Sequence, residues 1–107
     1  MMQINLYNSS TKQKEIFLSQ EDKKVKIYVC GPTVYDDSHL GHARSAIVFD
    51  LLHRVLKAND YDVIMAKNFT DVDDKIINKM KETNKTLEEV TEFYINSYKN
   101  DMKELNV

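Results

Sequence analysis

Val25-Lys26-Ile27-Tyr28-Val29-Cys30 runs directly into Gly31-Pro32-Thr33-Val34-Tyr35-Asp36-Asp37-Ser38 and then into His39-Leu40-Gly41-His42. The first six residues are mostly β-branched or aromatic, which suits a buried strand. Gly31-Pro32 stops that strand, because proline has no N–H to give to a ladder. Beyond it the apolar period changes. Leu40, Ala43, Ile47, Leu51 and Val55, with Leu52 and Leu56 beside them, recur at three- and four-residue steps over residues 39–58. That spacing predicts a helix, with Asp50, His53, Arg54 and Lys57 on its other side. Ser38 is the expected N-cap, since its hydroxyl can accept from an orphan backbone N–H. Asn59-Asp60 ends the helix, and residues 61–66, with Val63 and Ile64, form a second strand. Strand, helix, strand in this order implies a parallel pair with a right-handed crossover, so the class is α/β.

Working outward, residues 4–7 and 15–18 are β-compatible runs about the polar turn Asn8-Ser9-Ser10-Thr11, which predicts a short N-terminal β-hairpin. After Asn68-Phe69-Thr70 a second helix is expected over residues 72–83, with Ile76, Ile77 and Met80 apolar. Thr86 with Glu89 is a capping box, opening a third helix through Leu87, Val90, Tyr94, Tyr98 and Leu105. Two parallel strands make too small a sheet to stand alone, because parallel sheets want both faces covered and further strands beside them. The expectation is an incomplete domain whose other strands come from sequence outside these 107 residues.

Composition excludes several classes. At 42% apolar and 30% charged residues the chain is too hydrophobic for a disordered tail. A net charge of −2 gives no electrostatic footprint for nucleic acid in this piece. One cysteine excludes an internal disulfide and fits a reducing compartment. The start MMQINLYNSS lacks a secretory signal pattern, and no apolar run reaches the ~18–20 residues that a bilayer needs. The expectation is a soluble, cytoplasmic monomer with no membrane partner.

The chemistry concentrates where the first strand meets the long helix. In open α/β sheets, ligands bind at the carboxyl ends of strands. A helix start offers free N–H groups and partial positive charge, which favour phosphate. His39 and His42, on one side of the first turn, can donate to phosphate oxygens and so hold a group that gains charge in transfer. Gly41 leaves backbone bare for a base or ribose, and Leu40 is expected to face inward. The bland alternative is two surface histidines at a helix start. Cys30, at the strand's end, reads either as a small buried hydrophobe or as a thiolate for zinc, whose open position could take a substrate thiolate. Thr70, after the second strand, reaches the same edge and can hydrogen-bond an amino or carboxylate group. Asp71, Asp73 and Asp74 suggest either a divalent-metal loop or, as preferred for Asp73 and Asp74, caps of the next helix.

HLGH resembles the HIGH motif of class I aminoacyl-tRNA synthetases. The runs YVCGPTVYD, HLGHARSAIVFD and NFTDVDDKI, in this order and spacing, are similar to the cysteinyl-tRNA synthetase family of bacteria. The resemblance covers nearly the whole chain. It implies that residues 1–107 are the N-terminal portion of a Rossmann-type catalytic domain: a parallel sheet with flanking helices. It also implies formation of cysteinyl-adenylate from L-cysteine and ATP with Mg2+, then transfer to tRNA(Cys). By the same resemblance Cys30 is a Zn2+ ligand, and Cys30, Gly31 and Thr70 bind cysteine. Pro32, Thr33, His39, Leu40, Gly41 and His42 then bind ATP, with His39 and His42 catalytic. The family's other zinc ligands, its KMSKS loop and its anticodon-binding domain have no counterpart here, so the piece is expected to be inactive alone. Two further readings stand beside this one: a cysteine ligase of mycothiol synthesis, and a non-catalytic nucleotide-binding fragment.

Overall fold

A computed structural model of the chain describes residues 2–107. The order is β1 (Asn5–Asn8), β2 (Gln13–Ile16), β3 (Lys24–Val29), α1 (Leu40–Ala58), β4 (Asp62–Lys67), α2 (Asp74–Thr83) and α3 (Leu87–Glu104). β1 and β2 form the expected antiparallel hairpin, Asn5 opposite Ile16 and Asn8 opposite Gln13. Its turn is closed by Asn8, whose carbonyl accepts from Lys12 N–H at 2.7 Å and whose side chain accepts from Ser10 N–H at 2.9 Å.

β3 and β4 pair in parallel, Val25 with Val63, Ile27 with Met65 and Val29 with Lys67. Strand side chains alternate between faces, so these residues share one face. Val25 and Val29 are buried there, whereas Lys24, Lys26 and Tyr28 on the opposite face are exposed. α1 crosses between the strands and packs against β4, so it covers the valine face. The chain is thus α/β, with a partial Rossmann-like parallel pair, flanking helices and an N-terminal hairpin.

α1 is where the periodic reading needs correction. Ala46 and Leu56 are its buried residues, and Ala43, Phe49, Leu52 and His53 are half-buried. Ile47, Val48, Leu51 and Val55 are exposed, and Leu40, expected to face inward, is 85% exposed. The helix carries apolar residues around much more than one stripe. Periodicity alone could not say which stripe the two strands cover.

α2 and α3 pack on each other and over residues of the loops that leave β3 and β4. Val34, from the loop after β3, is buried with Ile76 of α2 and Val90 of α3, flanked by Tyr35, Phe69, Met80, Leu87, Tyr94 and Ile95. Ala46 of α1 meets Tyr98 and Met102 of α3, and Phe69 packs against this group too. Each large apolar side chain buried this way contributes ~1.5–3 kcal/mol. Val34 and Phe69 therefore turn two loops into parts of the core.

Candidate functional site

Two loops leave the carboxyl ends of β3 and β4 and are stitched together through their backbones. Val34 N–H donates to the Thr70 carbonyl at 3.1 Å, and Thr70 N–H donates to the Pro32 carbonyl at 3.0 Å. Thr33 and Thr70 thereby form one further parallel rung beyond the named strands. Gly31 N–H donates to Oδ1 of Asn68 at 2.6 Å. A β-carbon at Gly31 would sit 1.6 Å from the Asn68 carbonyl oxygen, so only glycine allows this approach. Gly31, Pro32, Thr33 and Thr70 are half-buried and held at one rim. Asn68 is the residue that sequence reasoning did not single out. Its one signal was an amide side chain placed directly after a strand.

The same clamped loop delivers the start of α1. The N-cap is His39, one residue beyond the expected Ser38; its extended backbone has φ −123° and ψ 179°. His39 Nδ1 accepts from Gly41 N–H at 3.0 Å, and His42 Nδ1 accepts from His39 N–H at 3.1 Å. The two rings lie with centroids 4.0 Å apart. Gly41 serves this arrangement, because a β-carbon there would stand 2.8 Å from Cε1 of the His39 ring. The space expected for a base or ribose over Gly41 is occupied by that ring. Leu40 points to solvent beside it.

Burial holds the His42 imidazole below its ordinary range, with His39 and then Lys67 adding to the effect. Lys67 ends β4 on the face that α1 covers. Its ammonium hydrogen-bonds the Tyr98 hydroxyl at 2.5 Å. It was not singled out in the sequence, where it is one lysine among many.

Cys30 carries an exposed, free thiol just past β3. Alternation after the buried Val29 places it in the row of Lys26 and Tyr28, not in the row under α1. Among the described residues no three His, Cys, Asp or Glu side chains gather in a way that could hold a metal ion. Cys30 therefore offers one sulfur and no ligand set among these residues. Of the three acids, Asp73 is the N-cap of α2, accepting from Lys75 N–H at 2.9 Å, and Asp74 lies in the helix's first turn. Asp71 is exposed.

These features amount to a strand–loop–helix unit whose helix begins with paired imidazoles, clamped to a second parallel strand. The chain belongs to the family described as the tRNA synthetases class I (C) catalytic domain, which matches residues 16–107. Among individual relatives it is 68% identical over 107 residues to the cysteine–tRNA ligase of Aliarcobacter butzleri, covering 100% of this chain and 23% of that protein. It is 58% identical to the cysteine–tRNA ligase of Sulfurimonas denitrificans, across 95% of this chain and 22% of that protein. With that of Campylobacter lari the identity is 55%, across 94% and 22%. The chain thus spans less than a quarter of the length of these relatives.

Proposed function

We propose that residues 1–107 are the N-terminal portion of the Rossmann-type catalytic domain of a cysteine–tRNA ligase. Such an enzyme activates L-cysteine with ATP to cysteinyl-adenylate and loads it onto tRNA(Cys). The observation that carries this reading is the pair of imidazoles at the start of α1, on the loop whose first residues, Gly31, Pro32 and Thr33, are locked to Asn68 and Thr70. His39 and His42 are the catalytic pair in this reading. With Pro32, Thr33, Leu40 and Gly41 they form the ATP-binding region, and Cys30, Gly31 and Thr70 form the cysteine-binding one. Donors aimed at the phosphates stabilise the transition state more than the ground state, because charge develops there during adenylate formation. Mg2+ accompanies ATP.

An exposed thiol at a strand's carboxyl end suits a zinc thiolate, and a lone thiolate holds zinc poorly. Cys30 supplies one ligand and the others come from outside these residues. Bound zinc supplies a soft Lewis acid that separates cysteine from serine and alanine. The piece is inactive alone, and the full protein is a cytoplasmic monomer. No described helix is long and apolar enough to cross a membrane.

The test is pyrophosphate exchange in the full-length protein. His42→Ala lowers kcat by ~10²-fold or more, the scale of one lost transition-state donor, and leaves the KM for cysteine close to wild type. Equal loss in both parameters rejects the assignment. Cys30→Ser lowers zinc content by elemental analysis and raises the KM for cysteine. Unchanged zinc content rejects the ligand role.

A further inference from the structure

We propose that the fold of α1 fixes His39 and His42 as neutral Nε2–H imidazoles, so that each ring caps the helix through one nitrogen and faces ligand through the other. An imidazole nitrogen that accepts a backbone N–H must carry a lone pair, and in the neutral ring the proton then sits on the second nitrogen. His39 Nδ1 accepts from Gly41, and His42 Nδ1 accepts from His39, closing a reciprocal cap between rings 4.0 Å apart. Both Nδ1 atoms are consumed inside the protein. The donors left for a phosphate are the two Nε2–H groups, in the reading proposed above, on which this part rests.

The same geometry couples protonation to structure. A proton on Nδ1 turns an acceptor into a donor facing another donor, which breaks that half of the cap. Burial opposes protonation of His42 most, a proton on both neighbouring rings would set like charge beside like charge, and Lys67 at the end of β4 adds to the effect. The neutral form is the one the surroundings favour. The His42 half of the cap is thus intact at neutral pH and opens in acid.

Isosteric replacement separates the two edges of each ring. An asparagine amide reproduces the Nδ1 position and can cap. A glutamine amide reproduces Nε2 and cannot reach back to the cap. In the full-length protein, His39→Asn and His42→Asn retain the amide-exchange protection of the first turn of α1 and lose ATP affinity. His39→Gln and His42→Gln lose that protection about fivefold, the equivalent of one cap, and retain part of the ATP affinity. Nitrogen-15 histidine spectra, assigned by the signals these variants remove, report the tautomer directly. At pH 7.5 both wild-type rings show an unprotonated Nδ1 and a protonated Nε2. A proton on Nδ1 of either ring overturns the inference, whether or not any variant folds. Correct tautomers with no response of either Nε2 to added ATP leave the cap standing and overturn the phosphate-binding reading instead.

Discussion

α1 and α3 both begin with a side-chain cap, reciprocal through backbone N–H groups at α1 alone, and the two are built from different chemistry. At α3, Glu89 N–H donates to Thr86 Oγ1 at 3.2 Å, and the Thr86 hydroxyl donates to Glu89 Oε1 at 3.2 Å. Threonine is among the preferred N-cap residues, and the cap is settled by its own few residues. At α1 the cap is a histidine, which is not among them, and the residues before it are fixed from outside by Asn68 and Thr70. A good capping residue stands where only helix formation is at stake. A poorer one stands where, in the function proposed above, the helix start also presents donors to a ligand. Stability is commonly given up at such sites for function.

If the start of α1 is set by its clamp, disturbing the clamp has the largest effect. Gly31→Ala forces a β-carbon into the Asn68 carbonyl, and backbone cannot yield as a flexible side chain does. A loss of about 3 kcal/mol or more is expected, at the upper end for overpacking, with amide-exchange protection lost around residues 31–34 and 68–70. The α3 start keeps its protection. Wild-type stability in this variant would show that the two loops are not the fixed frame of the site.

Much of this frame was legible in the sequence, and the reasons are local. The strand 25–30, the crossover helix, the Thr86 cap of α3 and the acid cap of α2 each depend on residues a few positions apart; of the expected Thr86–Glu89 box, the Thr86 half forms, and the Glu89 carboxylate accepts from the Thr86 hydroxyl instead of its backbone N–H. What escaped depends on distant partners. Gly31 reads as a strand stop, but its demand for glycine comes from Asn68, 37 residues on. Val34 reads as a loop residue, yet it is 1% exposed because α2 and α3 close over it. Ser38 was the better N-cap on propensity. The helix begins one residue later because the His39 and His42 rings cap it together with Gly41 left open between them. The expected stripe of α1 held at Ala43, Leu52 and Leu56 and failed at Leu40, Ile47, Leu51 and Val55 for a similar reason, since the helix is apolar on faces that these strands do not cover.

The next effect in size separates the two caps. Thr86→Ala should cost about 1 kcal/mol, read as roughly fivefold faster exchange in the first turn of α3. His39→Asn should leave α1 within a few tenths of a kcal/mol of wild type or slightly above it, because asparagine ranks with the best N-cap residues. A loss as large as that of Thr86→Ala would mean that the imidazole is the better cap in this setting, and the contrast between function and stability would fail.

The smallest expected effect is the pH dependence, and its sign follows from His42. Its folded-state range lies below the ordinary 6.5, mainly through burial and then through His39 and Lys67. The unfolded chain therefore binds the proton more readily than the folded one. The contribution of this residue is fully present above 6.5 and declines as pH falls through the lowered folded-state value. The Thr86 hydroxyl that caps α3 does not titrate. Between pH 7.5 and about 5.5, exchange in the first turn of α1 should accelerate relative to that of α3. His42→Asn should abolish the difference between the two helices. A wild-type ratio that stays constant over this interval would place the acid-sensitive element elsewhere and leave the two helix starts physically equivalent.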